Sequence, residues 1–215
     1  MRPLLLTLLC ILTSLPAQAD EWWAWSTVDF YRKPPWKASL YMGNFADAVD
    51  GSYVQIVSPR VKYAAAEWLE LGLGMSTLRI ENITTHDRYD QLRPELEINP
   101  QFDLTKRLRV EWRNRMEWRE NEGQAFTTSR TRHRMQLAWT LPQPLGPLTR
   151  LFASNEWLQD LHLRRHTENR FVPLGLTFKL SASVDLDLFY MIDSRRGRTI
   201  WKHESVLGTY LRVRF

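Results

Sequence analysis

The chain has 215 residues, 44% hydrophobic and 25% charged, with a formal net charge of +5. That length suits one domain with a sizeable interior, and the negative mean hydropathy excludes a bundle of membrane-spanning helices. A basic balance leaves nucleic acid, an anionic membrane surface or neither as partners.

The first element is an apolar run, Leu4 to Leu15, after Met1-Arg2 and before Ala17-Gln18-Ala19. This pattern predicts a secretory signal peptide, residues 1–19, cut before Asp20. The run is shorter than the ~20 residues of a spanning helix; an uncleaved anchor or a buried helix is the alternative. Export argues against nucleic acid. Cys10, the sole cysteine, lies inside the signal. Leu9 before it does not suit a lipoprotein cleavage site, so residues 20–215 are expected to form one disulfide-free domain. The chain has ten tryptophans, a residue favoured at membrane–water interfaces.

Beyond the signal, period-two alternation dominates and helical periodicity is weak. "EWWAWSTVDFY", Glu21 to Tyr31, alternates only weakly. Ten stretches read as strands: Trp36–Asn44, Ser52–Tyr63, Leu69–Ile80, Tyr89–Ile98, Arg107–Arg119, Arg130–Leu141, Leu148–Leu158, Arg170–Leu180, Val184–Asp193 and Glu204–Phe215. Turn chemistry separates them at Asn99–Asp103, Pro142–Pro147, Ser181–Ser183 and Ser194–Arg198. In "RLRVEWRNRMEWR" one face carries Leu108, Val110, Trp112, Asn114, Met116 and Trp118, and the other carries Arg107, Arg109, Glu111, Arg113, Arg115, Glu117 and Arg119. As a helix this segment would scatter charge over every face.

Strands of ~9–11 residues with one apolar and one Arg/Glu face predict an all-β, antiparallel up-and-down transmembrane barrel, apolar side to lipid. With both ends at one rim the strand number would be even: ten, with Glu21–Tyr31 outside the wall, or twelve with a further strand. Symmetric turns predict lumen pairs Glu97–Arg107, Glu95–Arg109 and Arg93–Glu111. A loop closed near Arg198 one residue off centre predicts Asp187–Arg212 and Asp185–Arg214, and the hairpin through Asn121–Thr128 predicts Glu117–Arg132, with Arg115 and Arg134 as a like-charge mismatch. The Arg ladder would either fill the lumen with ion pairs or line a narrow anion-selective passage.

Catalytic and metal signals are sparse. Lys202 to Ser205, "KHES", sets His203, Glu204 and Ser205 side by side, the raw material of a lipid-modifying esterase or phospholipase. Glu204 falls on the opposite face, so no catalytic residue is assigned. His162 and His166 have metal-pair spacing on a helix, but no helix is expected there. No metal or cofactor is expected.

The Trp-rich start, the Arg-x-Glu-x-Arg strands, "NEW" (Asn155–Trp157) and the ending "SVLGTYLRVRF" resemble the bacterial envelope family catalogued as domain of unknown function 2490. The resemblance covers Glu21 to Phe215 and carries no catalytic residues. It implies a Gram-negative outer-membrane barrel in contact with outer-membrane lipid and lipopolysaccharide. Likeness to that class also implies that the terminal Phe215 is read by the barrel-assembly machinery. Solute, loop partners and oligomeric state stay open.

Overall fold

The computed structural model describes residues 19–82, 85–197 and 199–215. Apart from Ala19, the expected signal peptide lies outside the described residues. Eleven strands follow in chain order: β1 (Glu21–Lys33), β2 (Trp36–Asp47), β3 (Gly51–Ala66), β4 (Leu69–Glu81), β5 (Arg88–Asp103), β6 (Leu108–Asn121), β7 (Thr128–Leu145), β8 (Leu148–Asp160), β9 (Arg165–Lys179), β10 (Val184–Arg196) and β11 (Trp201–Arg214). Each pairs with its sequence neighbours, and β1 pairs with β11, so the sheet closes into a barrel. Closure leaves no edge strand.

The all-β barrel is as expected; the even strand number is not. Glu21–Tyr31 is part of the wall, and β1 runs parallel to β11, from Glu21 opposite Val206 to Asp29 opposite Arg214. All other neighbours are antiparallel. A parallel closure requires the first and last strands to run the same way, which makes the count odd. Glu21 therefore starts at one rim and Phe215 ends at the other. The Phe215 rim carries the short turns, and the backbone N–H of Phe215 donates to the Asp29 carbonyl at 3.1 Å. The Phe215 side chain is 83% exposed.

Alternation decides facing. In β5, Gln91, Arg93, Glu95 and Glu97 are buried while Leu92, Leu96 and Ile98 are exposed. In β6, Trp112 is 46% exposed on the outer surface. Leu73, Met75, Met135, Leu137 and Trp139 join it on that surface. A water-soluble barrel would bury such residues and turn its charges outward. Among the described residues no helix is long and apolar enough to cross a membrane.

Two inward phenylalanines cover glycines on the next strand. A Cβ on Gly175 would stand 2.1 Å from the Phe152 ring, and one on Gly208 would stand 2.2 Å from the Phe189 ring. Each ring occupies the volume that the missing side chain leaves. Gly208→Val is expected to lower stability by about 1–3 kcal/mol through overpacking. The check is the urea midpoint of the refolded barrel; an unchanged midpoint would show that the ring moves freely.

Candidate functional site

The lumen holds a cavity of about 1000 Å³, to which 17 Lys and Arg and 8 Asp and Glu side chains contribute. Of the residues expected to face inward, Glu95, Glu97, Arg109, Glu111, Arg113, Arg115, Arg132, Arg134, Asp185, Asp187, Arg212 and Arg214 line it. Glu117 lies behind this lining with no solvent exposure. Arg107 does not face the lumen: it is exposed in the turn between β5 and β6, its N–H bonded to Thr105 Oγ1 at 3.2 Å.

The pairing differs from the symmetric-turn expectation. β5 continues through Asn99–Asp103, which the turn chemistry assigned to a loop, and the chain reverses after it. Asp103 therefore faces Arg109, and Glu97 faces Arg115. Arg93, Pro94, Asn99 and Pro100 have no direct partner on β6. Proline offers no N–H to a ladder, and interruptions beside Pro94 and Pro100 let the strand carry both. Glu97–Arg107, Glu95–Arg109 and Arg93–Glu111 are thus not pairs. The slip is an even number of residues, so every side chain keeps its face.

On β10 and β11 the ladder sets Asp185 opposite Arg212. The side chains reach diagonally, so that Arg212 meets Asp187 at 2.6 Å and Arg214 meets Asp185 at 2.6 Å. On β6 and β7, Glu117 is opposite Arg130, Arg115 opposite Arg132 and Arg113 opposite Arg134. The like-charge mismatch involves different partners from those expected. Glu117 reaches Arg132 diagonally at 3.1 Å.

The ion pairs lace the wall. Arg60 on β3 passes over Gly74 on β4 to reach Glu95 at 2.8 Å and Glu97 at 3.0 Å on β5. A Cβ on Gly74 would stand 3.3 Å from Arg60 Cγ, so the glycine makes room for this crossing. Arg113 likewise skips β7 to meet Glu156 at 2.5 Å, and Arg195 skips β11 to meet Glu21 at 3.1 Å. Every ion pair among the described residues joins strands no more than two apart; none bridges the barrel's diameter.

Alternation does not announce the lumen's apolar arc. Trp23, Phe45, Val54, Ile56, Leu78, Phe152, Val172, Met191 and Val206 form a buried inward cluster. Trp23 stacks on Phe45 with ring centroids 4.3 Å apart, and the Arg170 guanidinium sits 4.6 Å from the Trp23 ring. Trp25 stacks on Phe189 at 5.6 Å. The only sequence signal was the density of aromatics in "EWWAWSTVDFY".

The "KHES" residues do not converge. His203 Nδ1 lies 2.8 Å from Ser194 Oγ, Ser205 Oγ donates to Asp20 at 2.8 Å, and Glu204 bonds Arg195 and Lys202. His162 stacks on Phe126, while His166 Nε2 lies 2.7 Å from the Glu168 carbonyl.

Comparison with known proteins agrees with this architecture. One solved structure with a similar fold is a bacterial polysaccharide outer membrane secretin, at 10% identity and a TM-score of 0.53, covering 84% of this chain and 64% of that one. An anion-selective porin from Comamonas acidovorans matches at 9% identity and a TM-score of 0.42, covering 83% of this chain and 54% of that one. The chain thus spans less than two thirds of either. No curated protein matches the sequence. Residues 21–204 match the family described as protein of unknown function (DUF2490), and the chain belongs to that family.

Proposed function

We propose that this chain is an outer-membrane barrel whose lumen is a narrow, anion-preferring passage. The observation that carries the reading is the wall-bound course of the ion pairs. They hold neighbouring strands together and leave about 1000 Å³ unfilled, with cations in excess at its surface. Barrels of ~8 strands are filled by side chains and those of ~16 hold open channels; eleven lies between. Excess positive charge along a confined path favours anions.

The apolar outer surface supports placement in lipid, and the fold neighbour described as an outer membrane secretin supports the outer membrane. In this reading residues 1–19 are removed on export, lipopolysaccharide contacts the apolar belt, and Phe215 at the short-turn rim is offered to the assembly machinery.

The test has two arms. The protein should fractionate with outer membranes and run at different gel mobilities before and after boiling. In a planar bilayer under a tenfold salt gradient it should conduct weakly, with a reversal potential of the sign that marks anion preference. A soluble protein, a silent bilayer or cation preference would overturn the reading.

A further inference from the structure

Among the described residues, the lumen wall sets poorly compensated arginines face to face at one place. Across β6 and β7, two arginine pairs stand directly opposite each other: Arg115 with Arg132, and Arg113 with Arg134. Like charges so placed destabilise a sheet unless anions intervene. The first pair is well supplied. Arg115 holds Glu97 at 2.5 Å and Glu95 at 3.2 Å, and Arg132 holds Glu156 at 2.8 Å and Glu117 at 3.1 Å.

The second pair is not. Arg113 meets Glu156 alone, at 2.5 Å, and shares it with Arg132 and Arg170. Arg134 makes no ion pair or side-chain hydrogen bond among the described residues. The Nε atoms of Arg113 and Arg134 are both buried without an acceptor. Both residues line the cavity. Two guanidinium forks with unused donors suit a carboxylate, which accepts from such forks in pairs.

The closed strand order places β6 and β7 opposite β1. On that far side Trp25, Tyr41, Phe189 and Tyr210, on β1, β2, β10 and β11, line the same cavity and are only half buried. Aromatic faces turned to a cavity pack against flat apolar surfaces. One wall thus offers unpaired arginine donors and the other an aromatic surface, in which Arg60 sits over the Tyr41 ring at 4.6 Å, Arg212 over the Tyr210 ring at 5.2 Å, and Phe189 stacks on Trp25.

We propose that the lumen binds a ring-bearing organic carboxylate, its carboxylate held by Arg113 and Arg134 and its ring facing Trp25 and the neighbouring aromatics. A sugar acid and an aromatic acid share this chemistry. The inference rests on the lumen being open to solutes, as in the anion-passage reading.

The test is calorimetric titration of the refolded protein in detergent with digalacturonate, benzoate and sodium sulfate, alongside conductance of the same preparation. Saturable binding of digalacturonate or benzoate is expected, and whichever binds tighter identifies the source. Arg134→Gln should weaken that binding at least tenfold while leaving heat-modifiable folding intact, because it removes an uncompensated charge. Should that variant fail to fold, Arg134→Lys keeps the charge but loses the fork, and should weaken binding several-fold. Trp25→Leu should weaken the ring-bearing ligands and leave sulfate unchanged. Absence of binding by either organic acid, undiminished binding by the Arg134 variants, or sulfate competing equally would overturn the proposal. Binding without conductance would sink the passage reading alone; conductance without binding would sink this inference alone.

Discussion

Glu117→Gln is expected to lower the stability of the folded barrel by about 3–5 kcal/mol, the cost of leaving buried charge without its partner. The carboxylate has no solvent exposure. Four arginines surround it: Arg130 at 2.7 Å, Arg132 at 3.1 Å, Arg115 at 3.6 Å and Arg93 at 3.7 Å. Gln keeps the shape and removes the charge, so Arg93 loses its one ion pair among the described residues and Arg115, Arg130 and Arg132 are left with their remaining carboxylates. Glu111→Gln is the control. Its one ion pair, to Arg150 at 3.6 Å, involves a side chain 32% exposed, and its loss should cost about 0–1 kcal/mol. Urea titration of folding into lipid vesicles compares the two. Equal costs would mean that the network around Glu117 is solvated and that the lumen wall is wetter than its packing indicates.

Leu96→Arg is the second large effect, about 2–4 kcal/mol if the outer surface meets hydrocarbon near its midplane. Leu96 sits midway along β5 and faces out, while Glu95 and Glu97 on either side face in. The comparison is Leu163→Arg, in the β8–β9 loop and exposed, where the same charge meets water and should cost little. In the same vesicle titration, similar costs at the two positions would contradict a lipid-facing belt.

Much of this molecule was legible in one dimension. A strand's side chains alternate by geometry, so the faces of "RLRVEWRNRMEWR" follow from sequence alone. Trp112 and Trp118 are exposed outside, and Arg109, Glu111, Arg113 and Arg115 line the lumen. Gly74 sits on the charged face of β4, where its missing side chain leaves room for Arg60, while Gly72 on the same face leaves room for Lys62 and Glu97.

Register was not legible. Asn99-Pro100 has turn chemistry, yet its strand runs on to Asp103 because β4 supplies partners as far as Pro100, opposite Leu69, and β6 supplies them for Gln101 to Asp103. Local propensity lost to sheet pairing, as it commonly does in strands. Because the slip was even, facing survived while the named partners changed. Diagonal reach then restored three of the expected contacts, Arg212–Asp187, Arg214–Asp185 and Glu117–Arg132, in a ladder that does not set them opposite.

The sequence by itself determined ten of the eleven strands, the inside and outside of those with an Arg/Glu face, and the sign of the lumen's charge. Those properties depend on alternation within one segment, which needs no knowledge of neighbours. Only the tertiary structure decided the parallel closure of β1 on β11, the odd strand number, the apolar arc around Trp23 and the course of ion pairs around the wall. Those depend on which strands meet and at what offset, and they are set by closing the whole sheet, where side chains from strands two apart compete for the same interior volume.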